Sequence, residues 1–499
     1  VTVATTTTGV TLDRDTLEAL RRAGGAKLDV QVLRGAIFQR YYDSEFEILA
    51  LMDTEERQTF SKYLAIAGAN WCELVVNSVA ERLQVTGFAF GADSDMAWEI
   101  WKANAMNADA ELVQTDALVV GSGLALAQPD DDNPTGVCIT AESPFEATVL
   151  YAPGNRRERI AGYKRFSGDT AAYPWPAWLG EPAVGTTEVL ILPDWIATWY
   201  AGGREPVIEP NPAGLVGLVE IVPQPRTSGP HRSELTSAIR IQDRINTTLF
   251  NRLVSTDYTA FRQIWASGVK LARKVMTYTD DQGVQQTSEA FVQPFDVGAN
   301  RLLTAENPNA KFGSFPGDPL AGFLQAVEQD VDQLAAITQT PAYYFRPMVN
   351  LSADAIKAAE AGLVAKVNRR MLHIGEGWES LMTAALAIAG RSGATGDVLW
   401  KDPETRSVAQ LVDALVKMRT LGVPVEALWA QYGATPAEIE QWRAMRKAEE
   451  AGPQEVPPPK AGSTAVLQPA PAGQLAPPPT PAGSRGSVNA PAPTLPLKE

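Results

Sequence analysis

Apolar positions recur at helical spacing over most of this chain and at strand spacing in one middle stretch. Leu17, Leu20, Leu28, Val32 and Ile37 predict helix near the start, with Gly24-Gly25 expected to divide it in two. A second helical region is expected over 55–82, its apolar stripe made by Phe60, Leu64, Trp71, Leu74, Val75 and Val79. A third is expected over 96–112, with Trp98 and Trp101 one turn apart and Asp95 as its cap. From 117 to 225 the pattern shortens to β-rich runs at 117–120, 137–140, 147–151, 159–166, 188–192 and 215–222. Turns such as Pro129-Asp130-Asp131-Asp132-Asn133-Pro134 and Pro153-Gly154-Asn155 separate them. The first half therefore reads as one α+β domain.

Beyond Pro230 the periods lengthen. Leu235, Ile239, Ile245, Leu249, Leu253, Val254 and Tyr258 share one face of a helix expected from Ser233 to about 260, some 28 residues or about 42 Å long. Short strands follow at 263–265, 275–278 and 290–292. Asp318 and Pro319 form a helix start signal, and Leu320, Phe323, Leu324, Val327, Val331 and Leu334 continue it up to Pro341. The segment Thr340-Pro341-Ala342-Tyr343-Tyr344-Phe345-Arg346-Pro347 is expected as a loop, because its prolines forbid helix continuation. Ser352 then opens a third long helix to about 389, with Ile356, Leu363, Val367, Met371, Ile374, Trp378, Leu381 and Met382 on its apolar side. Gly375 and Gly377 inside it predict a kink or a tight crossing. A strand at 398–400 and three more helices follow, the last opened by the capping box Thr435-Pro436-Ala437-Glu438. The fold class is thus α+β, predominantly helical, with more apolar stripe on the long helices than a small core needs. Residues 453–499 hold 13 of the 36 prolines and no aromatic residue, so they are expected to form a disordered or polyproline-like tail.

Composition narrows the chemistry. The 499 residues carry a formal charge of −15, which argues against a protein that grips nucleic acid through a basic face but not against one that surrounds it. The two cysteines, Cys72 and Cys138, cannot supply a disulfide scaffold or a Cys₄ zinc site, and both are expected reduced. With only His231 and His373 as histidines, a histidine-based catalytic or metal site has little to draw on. His231 is expected in a turn and His373 at a surface or core edge. No phosphate-binding loop of the GxxxxGK[ST] type is present, so no nucleotide hydrolysis by that route is expected. Gly121-Ser122-Gly123 reads as a plain turn and Asp130-Asp131-Asp132 as a solvated loop. No apolar run reaches the roughly 18 residues of a membrane helix, and the start Val1-Thr2-Val3 carries no secretory pattern. Trp175, Trp178, Trp195 and Trp199 leave a second function class open, a glycan-acting hydrolase that stacks sugars on the Trp-rich acidic first half. No cofactor, metal or catalytic residue is indicated.

Several segments, in order and spacing, resemble one family. They are Asn70-Trp71-Cys72-Glu73-Leu74-Val75-Val76 with Ala80-Glu81-Arg82-Leu83, then Trp98-Glu99-Ile100-Trp101-Lys102-Ala103-Asn104, then Thr115-Asp116-Ala117-Leu118-Val119. The strongest are His231-Arg232-Ser233-Glu234-Leu235 with Ile241-Gln242-Asp243 and Thr248-Leu249-Phe250, and Ala353-Asp354-Ala355-Ile356-Lys357-Ala358-Ala359-Glu360 with Gly375-Glu376-Gly377-Trp378-Glu379. Trp400-Lys401-Asp402-Pro403-Glu404-Thr405-Arg406-Ser407 completes the set. Together they resemble the portal proteins of tailed phages, of the siphophage type common in phages of actinobacteria. Cys72 stands where a proline is expected in such relatives.

That resemblance implies a division into a wing-like domain (1–230), a first stem helix (231–261), a clip-like insertion (262–317), a second stem helix (318–338), a tunnel loop (339–351), a long kinked helix (352–390), a crown-like region (391–452) and the tail (453–499). It implies a homo-oligomeric ring, usually of twelve subunits, at one capsid vertex of the virion, assembled in the host cytoplasm. Double-stranded DNA passes through its channel. The implied partners are the major capsid protein and scaffold, the terminase large subunit that supplies ATP hydrolysis, and a head-tail adaptor protein, with no membrane. Thr340, Tyr343, Tyr344, Arg346 and Asn350 are the expected DNA-facing residues of the tunnel loop. Glu328, Asp330 and Asp332 are the expected acidic wall of the second stem helix.

Overall fold

Helix α1 (Arg14–Tyr42) opens the computed structural model, which describes residues 13–45, 61–167, 185–200, 205–260, 264–269, 272–279, 285–292, 307–314, 320–346, 352–404, 408–434 and 436–450. Asp13 caps α1 by accepting from the Thr16 amide at 2.7 Å. The helix runs unbroken through Gly24-Gly25, contrary to the expected division. Its glycine there is a packing residue: a Cβ at Gly24 would lie 2.6 Å from Cγ of Tyr163. The Tyr163 ring takes the space a side chain would need.

Helices α2 (Ser61–Ala67) and α3 (Cys72–Ala80) divide the expected 55–82 region, residues 55–60 lying outside the described residues. Strand β1 (Val85–Ala89) follows, then α4 (Ser94–Ala103) and α5 (Met106–Val120). The expected single helix over 96–112 is thus two, parted at Ala105, whose φ of 54° is left-handed. Asp95 lies in the first turn of α4 rather than at its cap. The run 117–120 is not a strand but the buried end of α5. Gly121 terminates that helix in the left-handed conformation at φ 104°, and its N–H bonds the Ala117 carbonyl at 2.9 Å.

The sheet region then begins with β2 (Gly123–Pro129), β3 (Val137–Glu142), β4 (Ala147–Ala152), β5 (Asn155–Ser167), β6 (Thr186–Ile191), β7 (Trp195–Trp199), β8 (Val207–Pro210) and β9 (Leu218–Ile221). Strands β4 to β8 form an antiparallel five-stranded meander, and β3-β2-β9 form a three-stranded antiparallel sheet. Leu124, Leu126, Val149, Ile191 and Leu218 fill the space where the sheets meet. Helix α1 lies on the meander through Leu17, Leu28, Tyr163 and Trp199. Arg21 of α1 holds Glu188 of β6 through two hydrogen bonds of 2.7 and 2.9 Å. Trp199 is buried beneath the Arg21 guanidinium, 4.9 Å from its ring centre, so its indole is a core element and not a sugar platform.

A 3₁₀ turn (Glu234–Ser237), capped by Ser233, leads into α6 (Ile239–Ala260). Strands β10 (Ile264–Ser267), β11 (Ala272–Thr279), β12 (Gln285–Val292) and β13 (Lys311–Ser314) make two small antiparallel ribbons, β10-β13 and β11-β12. Helix α7 (Ala321–Thr338) packs along α6. Its expected start signal, Asp318-Pro319, lies outside the described residues. One turn of helix, α8 (Ala342–Phe345), occupies what sequence predicts as loop. Helix α9 (Ala353–Ile388) is capped by Ser352, whose hydroxyl accepts from the Ala355 amide at 3.2 Å. Strand β14 (Asp397–Trp400) pairs antiparallel with β1, and α10 (Val408–Thr420), α11 (Val425–Tyr432) and α12 (Pro436–Glu450) complete the order. The chain to Arg443 is one compact unit; Ala444 begins a second. No described helix is long and apolar enough to cross a membrane.

The main core gathers around α9. Trp378 is fully buried and meets Trp101 edge-on at 5.2 Å, with Leu363, Val367, Ile374, Leu381 and Leu386 along the same side. Gly377 serves a close crossing, and neither it nor Gly375 interrupts the helix. A Cβ at Gly377 would lie 2.8 Å from Ile221 Cγ1 and 3.1 Å from its Cα, so β9 approaches the helix backbone directly. Gly377→Val should therefore overpack this crossing and lower unfolding stability by about 1–3 kcal/mol. Thermal unfolding followed by circular dichroism checks this; an unchanged midpoint would show that β9 yields.

Candidate functional site at the junction of the long helices

Three long helices converge where α7 ends, α8 turns and α9 passes beneath. Helix α7 stops at Gln339, whose φ of 54° is left-handed, and Pro341 then begins α8. The Thr338 side chain bonds back to the Leu334 carbonyl at 2.7 Å. Lys366 of α9 donates to the Thr338 carbonyl at 2.8 Å, setting an ammonium at the negative end of the α7 dipole.

Lys366 is one part of a buried charged node. Glu234, at the entrance to α6, pairs with Lys366 at 3.3 Å and with the Arg370 guanidinium. Gln224 adds a hydrogen bond to Glu234 at 2.8 Å. All three charged residues are under 9% exposed, at 6%, 5% and 8% for Glu234, Lys366 and Arg370. Burial pushes the Glu234 carboxyl up, but Lys366 and Arg370 outweigh it and hold it below its ordinary value. Burial pulls the Lys366 ammonium down, Glu234 only partly offsets that, and the neighbouring Arg370 charge lowers it further. Two cations facing one carboxylate keep Glu234 anionic.

A second knot lies beside it. Arg82, just past α3, donates to Glu360 of α9 at 3.2 Å, to the Tyr344 hydroxyl at 2.9 Å and to the Pro403 carbonyl at 2.6 Å. The Tyr343 hydroxyl donates to the same Glu360 oxygen, and its own ionisation is pushed up, first by burial and then by that carboxylate. The Tyr343 and Tyr344 rings lie 5.0 Å apart. Tyr344 and Phe345 also pack on the main core.

The residues expected to face a channel therefore divide. The Tyr343 and Tyr344 hydroxyls bond inward. Thr340 is 2% exposed, and its oxygen meets the Thr338 hydroxyl at 3.2 Å, so it presents no surface within the chain. Asn350 lies outside the described residues. Arg346 is partly exposed and pairs with Asp332 of α7 at 2.9 Å. Of the acidic positions, Glu328 and Asp332 are exposed on α7. Asp330 is 8% exposed and pairs with Arg244 of α6 at 2.6 Å, while Arg244 also bonds Gln333 at 2.7 Å. Asp330 thus ties α6 to α7 rather than lining an open wall.

Sequence reasoning missed Glu234, Lys366, Arg370, Arg82 and Glu360 as a working set. A signal was present: Glu360, Lys366 and Arg370 fall at the helical spacing of Ile356, Leu363, Val367 and Met371, on the face that should be apolar. Charges on a core face call for partners. The remaining chemistry is sparse. No group of His, Cys, Asp or Glu among the described residues is arranged to hold a metal. Cys72 and Cys138 are free thiols, and burial pushes the Cys72 thiol up to about 12, which keeps it unreactive. His231 lies in the turn before the Ser233 cap and His373 half-buried on α9, as expected.

Replacing Glu234 with Gln leaves two buried cations unmatched and should destabilise the chain by about 3–5 kcal/mol at neutral pH. Because the folded carboxyl lies below its ordinary 4.5, its contribution is complete above that value and is lost as pH falls through the folded one. The gap between wild type and E234Q should accordingly narrow in acid. Denaturant unfolding of both across pH 3–7 measures it; a constant gap would contradict the ionised node.

The comparisons with known proteins agree with one another. A family profile described as "Phage portal protein, SPP1 Gp6-like" matches residues 31–452. The chain is 29% identical over 431 residues to the portal protein of Mycobacterium phage L5, covering 82% of this chain and 84% of that protein. It is 28% identical over 432 residues to the portal protein of Mycobacterium phage D29, with the same coverage. A match that runs through both sheets, all three long helices and the charged node places this chain in the SPP1 Gp6-like family of phage portal proteins.

Proposed function

We propose that this chain assembles into a closed ring, of twelve copies in the usual portal arrangement, at one vertex of a phage capsid. Double-stranded DNA passes through its channel during packaging and ejection. The observation that carries this reading is the family match along residues 31–452. In this reading residues 1–230 form the wing, α6 and α7 the paired stem helices, and the ribbons within 262–317 the clip. Residues 339–351 form the tunnel loop, α9 the helix beneath the crown, and residues 391–452 the crown. The major capsid protein and scaffold surround the ring, the terminase large subunit docks on the clip, and a head-tail adaptor protein is a further partner. Assembly takes place in the host cytoplasm. ATP hydrolysis belongs to the terminase, which fits a chain with no phosphate-binding loop.

The charge suits a conduit. Twelve copies at −15 carry about −180, so the assembly repels DNA on average, and weak contacts suit a conduit because tight phosphate binding would stall translocation. Glu328 and Asp332 are the acidic residues of α7 placed to contribute to an acidic channel wall. Arg346 is the loop residue offered to phosphate. Its tie to Asp332 is a half-exposed pair, weak enough to exchange one partner for another. The two tyrosines hold the loop on α9 through Arg82 and Glu360.

Arg346→Glu should leave rings intact and lower the yield of genome-filled heads by roughly tenfold, the size expected from one lost charge-assisted contact. A phage lacking its own portal gene, complemented with the variant, provides the measurement. Filled heads at the wild-type yield would remove Arg346 from any DNA contact. Loss of rings would instead assign the loop a purely structural role.

A further inference from the structure

An open cleft of about 350 Å³ lies between α1 and the turn after β9, and its walls carry Arg34, Arg226, His231 and Arg232 with Gln224 and Thr236. No carboxylate is among its lining residues. The nearby acids are engaged elsewhere. Glu220 accepts from the Tyr151 hydroxyl at 3.2 Å and faces Lys27 at 3.5 Å and His231 Nε2 at 3.8 Å. Glu234 serves Lys366 and Arg370. The Arg232 guanidinium donates to the Ser237 hydroxyl at 3.3 Å, and neither Arg34 nor Arg226 has an ion-pair partner among the described residues. His231 Nδ1 is buried with no hydrogen-bond partner among the described residues. Three guanidiniums around one opening repel each other, and their planar donor forks match a carboxylate. In a chain of net charge −15 such a concentration stands out.

The complementary feature is the turn between β2 and β3. Asp130 is used by the turn itself, its carboxylate accepting from the Asp132 amide at 3.0 Å. The side chains of Asp131 and Asp132 are exposed, with no ion pair among the described residues. Strand pairing sets the geometry. Gly123 pairs with Ile221 and Leu126 with Leu218, so β9 leaves the sheet toward the cleft where β2 begins. Strand β2 then runs its length, about 20 Å, to the acidic turn. Cleft and turn stand at opposite ends of one sheet and cannot meet within one chain.

We propose that the cleft receives the Asp131-Asp132 turn of a second copy of this chain, head to tail around the ring. This rests on the ring reading above. A contact between two different patches of identical chains is the heterologous kind, which closes into a ring when the rotation between copies allows. The shape favours this occupant over DNA: a duplex needs phosphate contacts spread along a surface, whereas these cations surround one point.

Charge reversal on either side tests it, with native mass spectrometry reading assembly. D131K/D132K and R226E/R232E should each raise the concentration needed for rings by about tenfold or more. The four-residue combination, which restores opposite charges across the contact, should return it to within about threefold of wild type. Single-side variants that assemble like wild type would overturn the proposal while leaving the ring reading standing. So would a combination no better than either side alone. Unchanged assembly with weakened retention of duplex DNA in R226E/R232E would overturn it in favour of a phosphate site. A wild-type chain that stays monomeric would overturn the ring reading and the proposal together. Should the reversed variants fail to fold, a chain carrying Asp131→Cys and Arg226→Cys on a Cys138→Ser background decides, because the half-buried Cys138 thiol lies beside the acidic turn. The separation of 131 from 226 within one chain forbids a disulfide between them, so mild oxidation should give a covalent ladder of multimers absent from Cys138→Ser alone. Rings without that ladder would overturn the contact.

Discussion

One buried carboxylate organises the molecule. Glu234 stands where the sheet region hands the chain to the long helices, and it is shared by Lys366 and Arg370 of α9. Lys366 in turn holds the last turn of α7 through the Thr338 carbonyl. Apolar contacts along α6, α7 and α9 would permit many sliding arrangements, because dispersion has little direction. A buried ion shared between two donors has one geometry in which every charge is met. Replacing such a node with apolar residues is often neutral, while removing a single partner is costly, so its contribution is to register more than to stability. Everything above the junction inherits that register. The α8 turn is seated on α9 by Tyr343 and Glu360, and Arg346 is aimed by Asp332.

The chain was legible where apolar periodicity was strong and unshared. Strands β3, β4, β5, β6 and β9 follow the runs of β-branched residues, and α9 begins at its Ser352 cap. The failures have particular causes. Gly24-Gly25 reads as a break, but Tyr163, 138 residues further on, needs the space. Val119 and Val120 read as strand, but Gly121 ends a helix there, and only its left-handed φ distinguishes the two readings. Strand β7 was hidden by its tryptophans, which left sugar stacking open as an alternative to packing; the structure buries Trp199 beneath α1 and packs the half-buried Trp195 against the same core. Asp330 was grouped with Glu328 and Asp332 because the three are close along the chain. A helix turns about 100° per residue, so Asp330 instead faces Arg244 on α6. The direction of Tyr343 and Tyr344 was not legible, since their hydroxyl partners come from α9 and from just beyond α3.

Charge is sorted in this protein. The interior holds Arg82, Lys366 and Arg370 against Glu360 and Glu234, matched within a few ångströms. Outside that interior, the basic cleft of Arg34, Arg226 and Arg232 stands apart in a chain whose formal charge is −15. The proposed role as a conduit for a polyanion would benefit from such a distribution, with strong pairs fixing the scaffold and weak, screened contacts left for the cargo.

The central claim is that copies of this chain close around an opening wide enough for a duplex. Negative-stain electron microscopy of the purified full chain tests that most directly. The account predicts end-on views of closed rings with a stain-filled central hole. A field of isolated single chains, unchanged by raising concentration or salt, would contradict it.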